Sequence, residues 1–257
     1  MKQLTLVILL LLETTLYAQN YKIEFETEYI LPSTAMIAVL TPNNLIQTRS
    51  IDTIVTFKSY NLNDVNLIDR SFHCKYNQST SNISDYLLGT MILLPVFTNL
   101  NDFKSSWELP VMYAENLLGT FAITSIVKLI VQRSRPYNYY SDTPLDILNG
   151  GDSQFSFFSG HTSLAFSSAV FNSIVFELQN SSSEYKGLVW TLSLAGAAST
   201  GLLRILAGQH FLTDVIAGAL IGTIVGWSIP QLNNYEETIS NSEKIVNSNL
   251  IIFRFKI

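Results

Sequence analysis

The stretch that decides the fold is Gly187–Pro230, GLVWTLSLAGAASTGLLRILAGQHFLTDVIAGALIGTIVGWSIP. Its 44 residues hold only two charged side chains, Arg204 and Asp214, with His210 between them. A helix with one solvated face would carry a polar stripe, and none is present here. The run therefore reads as two long helices, 187–206 and 213–230, joined at Ala207–Leu212 and surrounded by apolar neighbours on several sides. Upstream, three more apolar segments cover 86–100, 111–131 and 162–178, separated by polar connectors over 101–110, 134–160 and 179–186. The expected fold is all-α, a helical bundle of about five long helices. Residues 111–131 would be about 31 Å long, enough to cross a bilayer. We therefore expect transmembrane helices, with a soluble bundle as the alternative. Glu115, Asn116, Pro95 and the short 86–100 segment weigh on the soluble side.

The whole chain agrees with this local deficit. Of 257 residues, 14% are charged and 47% are hydrophobic, with a net charge of −5. Soluble domains carry about 25% charge. That much apolar surface excludes disorder as a description of the chain. The acidic balance without a basic patch argues against a nucleic-acid partner. Cys74 is the only cysteine, so no disulfide can form within the chain.

The N-terminus reads as an export signal. Lys2 precedes an apolar run from Leu4 to Leu12, and a small residue, Ala18, offers a cleavage point. The run is too short to span a bilayer, which takes about 20 residues. The expected organisation is a signal peptide over 1–18, an extracytoplasmic segment over 19–85, the helical domain over 86–230, and a linker and tail over 231–257. Short strands are expected at 22–28 and 251–257, where apolar and charged residues alternate. A short helix is expected at 29–40, and loop with helix caps over 61–82.

The charges that survive in the apolar region share one set of helix ends. Lys128 and Arg135 close the second long helix, and His161 opens the third. Arg204 closes the fourth, and His210 and Asp214 open the fifth. In an up-and-down bundle these ends lie on one side. Each residue has an ordinary reading alone. Lys128 can snorkel, Arg135 can cap a helix end, Ser159 can be an N-cap, and Arg204 and Asp214 can pair. Together, three cations and two histidines at one end call for a dense anion such as phosphate. Ser159-Gly160-His161-Thr162 would present helix N-terminal amides to it. His210 and Asp214 have the form of a nucleophile with an orienting carboxylate, and His161 could protonate a leaving oxygen. Neutralisation by Lys and Arg makes a divalent metal unnecessary.

At these positions the sequence resembles the type 2 phosphatidic acid phosphatase superfamily. That family also includes bacterial non-specific acid phosphatases and vanadium haloperoxidases. Lys128-Leu-Ile-Val-Gln-Arg-Ser-Arg135-Pro136 fills the first signature block. Phe158-Ser159-Gly160-His161 fills the second, with Phe in place of Pro. Leu203-Arg204-Ile-Leu-Ala-Gly-Gln-His210-Phe-Leu-Thr-Asp214 fills the third, with Leu in place of Ser. The resemblance implies that Lys128, Arg135, Arg204, Ser159 and Gly160 hold the phosphoryl group. It makes His210 the nucleophile of a phosphohistidine, Asp214 its orienting partner and His161 the general acid. Arg133 is not a motif position, and a helix-end or headgroup role is its default reading.

The expected function is hydrolysis of phosphomonoester or pyrophosphate groups, with no cofactor and no metal. The expected substrate is a phosphorylated lipid or small phosphate ester, at an inner membrane with the site facing the periplasm. A soluble periplasmic acid phosphatase, a vanadate-dependent haloperoxidase and a non-catalytic anion-binding membrane protein are the alternatives. The aromatic and acidic loop 137–158 is expected to act as a lid.

Overall fold

The computed structural model describes residues 60–241, apart from 106, 107 and 181. The expected signal peptide, the 22–28 and 251–257 strands and the 29–40 helix lie outside the described residues. Within them, the chain forms α1 (Leu67–Ser71), α2 (Gln78–Thr98), α3 (Leu100–Ser105) and α4 (Glu108–Val131). There follow α5 (Leu145–Leu148), α6 (Gly160–Gln179), α7 (Lys186–Leu206) and α8 (Leu212–Asn241), with short 3-10 turns at Leu62–Asp64 and Pro136–Tyr139. The five long helices of the expected bundle are α2, α4, α6, α7 and α8.

Two boundaries differ from the sequence reading. Helix α2 begins at Gln78, inside the stretch expected to be loop. The Asn77 side chain accepts a hydrogen bond from the Thr80 amide at 2.9 Å, which starts the helix at a residue built for capping. The polar turns that follow are helical because Ser81 and Ser84 turn inward, both taking hydrogen bonds from Arg204. Helix α8 runs to Asn241, beyond the expected end at 230, with Pro230 inside it. Proline removes one backbone donor; the helix continues past it.

Helix α6 is the centre of the bundle and packs against α2, α4, α7 and α8. It is buried almost continuously from Thr162 to Val175. Many of its inward groups are small and polar. The Tyr113 hydroxyl on α4 donates to the Ile92 carbonyl of α2 at 2.6 Å and also meets the Ser168 hydroxyl. The Asn172 amide donates to Ser193 on α7 at 3.1 Å. Thr124 of α4 meets Ser163 of α6 at 3.1 Å between hydroxyl oxygens.

The tightest approach is between α6 and α8. Gly218, Gly222 and Gly226 recur every four residues on α8, opposite Ser159 at the N-cap of α6 and Ser163 and Ser167 within it. A methyl group at Gly218 would stand 2.6 Å from the Ser159 carbonyl oxygen, and one at Gly226 would stand 2.5 Å from that of Ser167. At Gly222 it would strike the Ser163 carbonyl. Small residues at this period let two helix backbones come together, a device frequent in membrane bundles.

The other face of α8 carries Ile216, Leu220, Ile224 and Trp227, all exposed, from 49% for Ile216 to 60% for Leu220. Leu188, Leu192 and Leu202 are exposed on α7. Large apolar side chains thus cover the outward faces of α7 and α8, while inside the bundle small and polar side chains lie beside an apolar core of Leu109, Tyr113, Phe171, Val175, Val225 and Ile229. A contiguous apolar surface of this kind needs a partner other than water. Three segments, Leu109–Tyr139, Lys186–Leu206 and Leu212–Gln231, are long and apolar enough to cross a membrane.

Candidate active site

The motif residues converge where four long helices end. Helix α4 stops at Val131, and Gln132 takes a left-handed φ of 48° before the chain turns towards Arg135. Helix α7 ends at Leu206. Gly208 then turns the chain with a φ of +68°. A side chain at Gly208 would also meet the Cys74 and Lys75 carbonyls, so glycine is required twice over. That turn delivers His210 to the start of α8. Ser159 begins α6, and its amide donates to the Asp214 carbonyl at 3.0 Å, tying the two helix starts together.

His210 is 1% exposed. Its Nδ1 lies 2.8 Å from the Ser156 carbonyl, an acceptor only, which fixes the proton on Nδ1. The lone pair is therefore on Nε2, which lies 3.4 Å from Arg135 Nη1. Burial, and then the positive field of Arg135, Lys128 and Arg204, holds the His210 proton affinity well below the ordinary histidine value. A neutral imidazole with its free nitrogen among cations has the form of a nucleophile able to meet an anion.

The expected contact between Asp214 and His210 takes a different form. Asp214 Oδ2 is 3.7 Å from His210 Nδ1, beyond a hydrogen bond. That oxygen instead accepts from the Ser156 hydroxyl at 2.6 Å and the Phe211 amide at 2.8 Å. Asp214 therefore holds Ser156, and Ser156 holds the imidazole. Ser156 is a site residue that the motif blocks do not contain.

The cations stand around this nitrogen. Arg135 is 2% exposed. It donates to the Asp152 carbonyl at 3.0 Å, to the Gln209 carbonyl at 3.1 Å and to the Gln209 side chain at 2.6 Å. It also pairs with the Asp152 carboxylate. Arg204 Nη1 donates to Ser81 at 3.2 Å, Ser84 at 3.0 Å and Asp85 at 3.2 Å. Its Nε is buried with no hydrogen-bond partner. Lys128 is within electrostatic range of Arg135, Arg204, Asp152 and Asp214. His161 Nε2 meets Asp85 Oδ1 at 2.7 Å, so one carboxylate oxygen bridges His161 and Arg204. Ser159 is fully buried, and its hydroxyl oxygen accepts from the Thr162 amide at 3.4 Å, which is N-cap geometry, and from the Thr162 hydroxyl at 2.8 Å. Gly160 stands beside it at the first turn of α6, with Thr124 against it.

Six residues were not anticipated as parts of the site. Asp85 and Asp152 place exposed carboxylates on the cations that an incoming anion would use. Asp152 belongs to the acidic loop singled out from sequence; Asp85 lies in a stretch without a motif. Gln209 sits beside His210, and Ser156 just before the second block. Arg133 joins Asp214 to Asp69, with Nη1 2.5 Å from Asp214 Oδ1 and Nη2 2.6 Å from Asp69 Oδ2. Burial alone would raise the Asp69 carboxyl, but hydrogen bonds from Arg133, Thr213 and Asn66 outweigh it and hold the carboxyl below its usual range. Among the described residues, no group of three or more His, Cys, Asp or Glu has the form of a metal site.

No curated protein matches the chain. Among solved structures, the first transmembrane PAP2 type phosphatidylglycerolphosphate phosphatase from Bacillus subtilis is similar, with a TM-score of 0.47 and 17% identity over 79% of this chain and 96% of that one. The family model of the PAP2 superfamily matches residues 109–237, which contain all three motif blocks. With half of its length matched by that model, the chain belongs to the PAP2 superfamily and is a phosphatase.

Proposed function

We propose that this phosphatase removes phosphomonoester or pyrophosphate groups from membrane lipids through a phosphohistidine on His210, without a metal ion. The observation that carries the reading is the placement of His210 Nε2. It is deprotonated, buried and 3.4 Å from Arg135 Nη1, with Arg204 and Lys128 close by.

In the first step the Nε2 lone pair attacks phosphorus, the N–P bond forms, and the bond to the leaving oxygen breaks. The leaving oxygen takes a proton from His161, whose proton affinity, depressed by burial and by Arg204, Lys128 and Arg135, is raised by the negative charge of the bound phosphoryl group. Arg135, Arg204 and Lys128 bear the charge of the three equatorial oxygens, which is where such catalysis gains most. As Nε2 gives up its lone pair, the ring becomes cationic. The Ser156 carbonyl and the buried Asp214 carboxylate then stabilise it. In the second step His161 accepts a proton from water, water oxygen bonds to phosphorus, the N–P bond breaks, and inorganic phosphate leaves. His210 returns to its neutral form. Asp85 and Asp152 pair with the guanidinium groups of Arg204 and Arg135 that phosphate oxygens would engage, and substrate displaces them.

The lipid assignment rests on the outward apolar faces of α7 and α8 beside the site. An integral membrane protein with three long apolar helices meets its substrate in the bilayer. The active site faces the periplasm in this reading. Phosphate release is measured from phosphatidic acid, phosphatidylglycerophosphate and polyprenyl pyrophosphate, with and without EDTA, for the wild type and His210→Ala. Release that survives EDTA and disappears in His210→Ala is expected. Full activity in His210→Ala would overturn the mechanism, and loss of activity in EDTA would overturn its metal-free form.

A further inference from the structure

The region before the family match supplies a fully buried carboxylate that no motif accounts for. Asp69 sits on α1, outside the matched residues 109–237. It has no solvent exposure, yet it lies on a five-residue helix at the edge of the bundle. A buried carboxylate is costly unless its lone pairs are taken. Here they are. Oδ1 accepts from the Thr213 amide at 2.9 Å. Oδ2 accepts from the Thr213 hydroxyl at 2.7 Å, from Asn66 at 2.6 Å and from Arg133 Nη2 at 2.6 Å.

Arg133 connects this carboxylate to the catalytic end. Its Nη1 donates to Asp214 Oδ1 at 2.5 Å and to the Thr213 hydroxyl at 2.8 Å. Its guanidinium lies over the Phe211 ring, 4.4 Å from the centroid. Arg133 is thus the shared counter-charge of two carboxylates, Asp69 and Asp214, neither of which reaches water. Asp214 Oδ2 is taken by Ser156 and the Phe211 amide, so Oδ1 is the oxygen that Arg133 fixes. From there the chain of contacts reaches the nucleophile, because the Ser156 carbonyl accepts the His210 Nδ1 proton.

We propose that Asp69 and Arg133 are positioning residues of the active site. Asp69 sets the plane of the Arg133 guanidinium, Arg133 sets the Asp214 carboxylate, and Asp214 with Ser156 keeps the His210 Nε2 lone pair free and aimed. The segment before the family-matched region thereby completes the site, through a residue that touches no substrate. The inference rests on His210 being the nucleophile. Two forked bonds to two carboxylates suit arginine and not lysine, which is a point charge. An ion pair that merely fastened α1 to the bundle would not need to engage Asp214.

The test uses the full chain in detergent or lipid, with the variants R133Q, R133K, D69N and D69N/R133Q. Three quantities are read: kcat, inhibition by inorganic phosphate, and the thermal midpoint. R133Q is expected to lower kcat by about 10- to 100-fold, the usual size for loss of a group that orients a ligating or reacting residue. Phosphate inhibition should stay within about twofold, because Lys128, Arg135 and Arg204 are untouched. R133K should recover part of the loss, since it keeps the charge. The double variant should be no worse than R133Q, because both substitutions cut one chain of contacts. If R133Q does not fold, D69N and R133K are compared with wild type on the same three readouts. A kcat within about twofold of wild type in R133Q, or in D69N and R133K where those stand in, would overturn the proposal. So would a kcat loss matched by equal weakening of phosphate inhibition, the mark of general damage. Wild type and His210→Ala are assayed alongside. Loss of the distinction between them overturns the nucleophile reading itself, whereas an active, His210-dependent enzyme indifferent to R133Q overturns only this inference.

Discussion

At the scale of single residues, the arrangement of Arg135 carries a direct expectation. Its guanidinium spends its donors on Asp152, on Gln209 and towards His210 Nε2. Lysine keeps the charge but cannot hold that fork. Arg135→Lys is therefore expected to lower kcat/KM by about a hundredfold, the cost of losing one donor to a developing oxyanion. Steady-state kinetics on a soluble phosphate ester would check it, and a change under about threefold would count against it. His210 makes a second expectation, about pH. Burial and the neighbouring cations depress its proton affinity, so the folded protein excludes a proton that the unfolded chain binds below about pH 6.5. The unfolded state then holds more protons, and stability falls as pH falls through that value. Asp69, held below its usual range, adds a contribution present above about pH 4 and lost as pH falls further. The thermal midpoint should therefore decline between pH 7 and 5 in wild type and decline less in His210→Ala. Parallel curves for the two proteins would contradict the buried neutral imidazole.

At the scale of elements, the α6–α8 contact should be the least forgiving of added volume. Gly222→Ala places a methyl group against the Ser163 backbone, which cannot move aside as a side chain can. The expected cost is about 1–3 kcal/mol, typical of overpacking. Gly89→Ala, on α2, meets nothing within 4 Å and serves as the control. Thermal unfolding of both should show a lower midpoint for Gly222→Ala alone; equal midpoints would refute the close approach. The same comparison shows what a sequence can convey about such elements. The five long helices were legible because apolar runs broken by polar connectors are a local property of the chain. So were Lys128, Arg135, His161, Arg204, His210 and Asp214, because each stands at a helix end where a lone charge is conspicuous. The start of α2 was not legible. Its first turn, within 61–82, read as loop and helix caps because it is polar, and the polarity of Ser81 serves Arg204, more than a hundred residues away. Asp69 was hidden for the same reason. Its partners Arg133 and Thr213 are brought to it by tertiary packing, and no spacing rule links them. The Asp214 contact was legible as a pairing with His210, but its passage through Ser156 depended on loop geometry.

At the scale of the whole molecule, the described helices carry large aliphatic side chains on their outward faces as well as in the core, and gather the charged site at one end. Carbonate washing of membranes should leave the protein in the pellet, and release into the wash would contradict an integral protein. Orientation can be read from Cys74, the only cysteine, which lies beside the Gly208 turn at the catalytic end. A membrane-impermeant maleimide should label Cys74 in intact cells if the site faces outward. Labelling only after the cells are opened would place the site on the cytoplasmic side.

The proposed reaction turns on a covalent phosphohistidine at His210. Its most direct measurement is rapid mixing of the protein with a substrate labelled in its phosphoryl group, followed by an alkaline quench that preserves N–P bonds, and mapping of the label by peptide mass. Label on the peptide carrying His210, appearing at the rate of turnover and absent from His210→Ala, is the predicted result. Turnover without any protein-bound label, or label on a different residue that persists in His210→Ala, would contradict it.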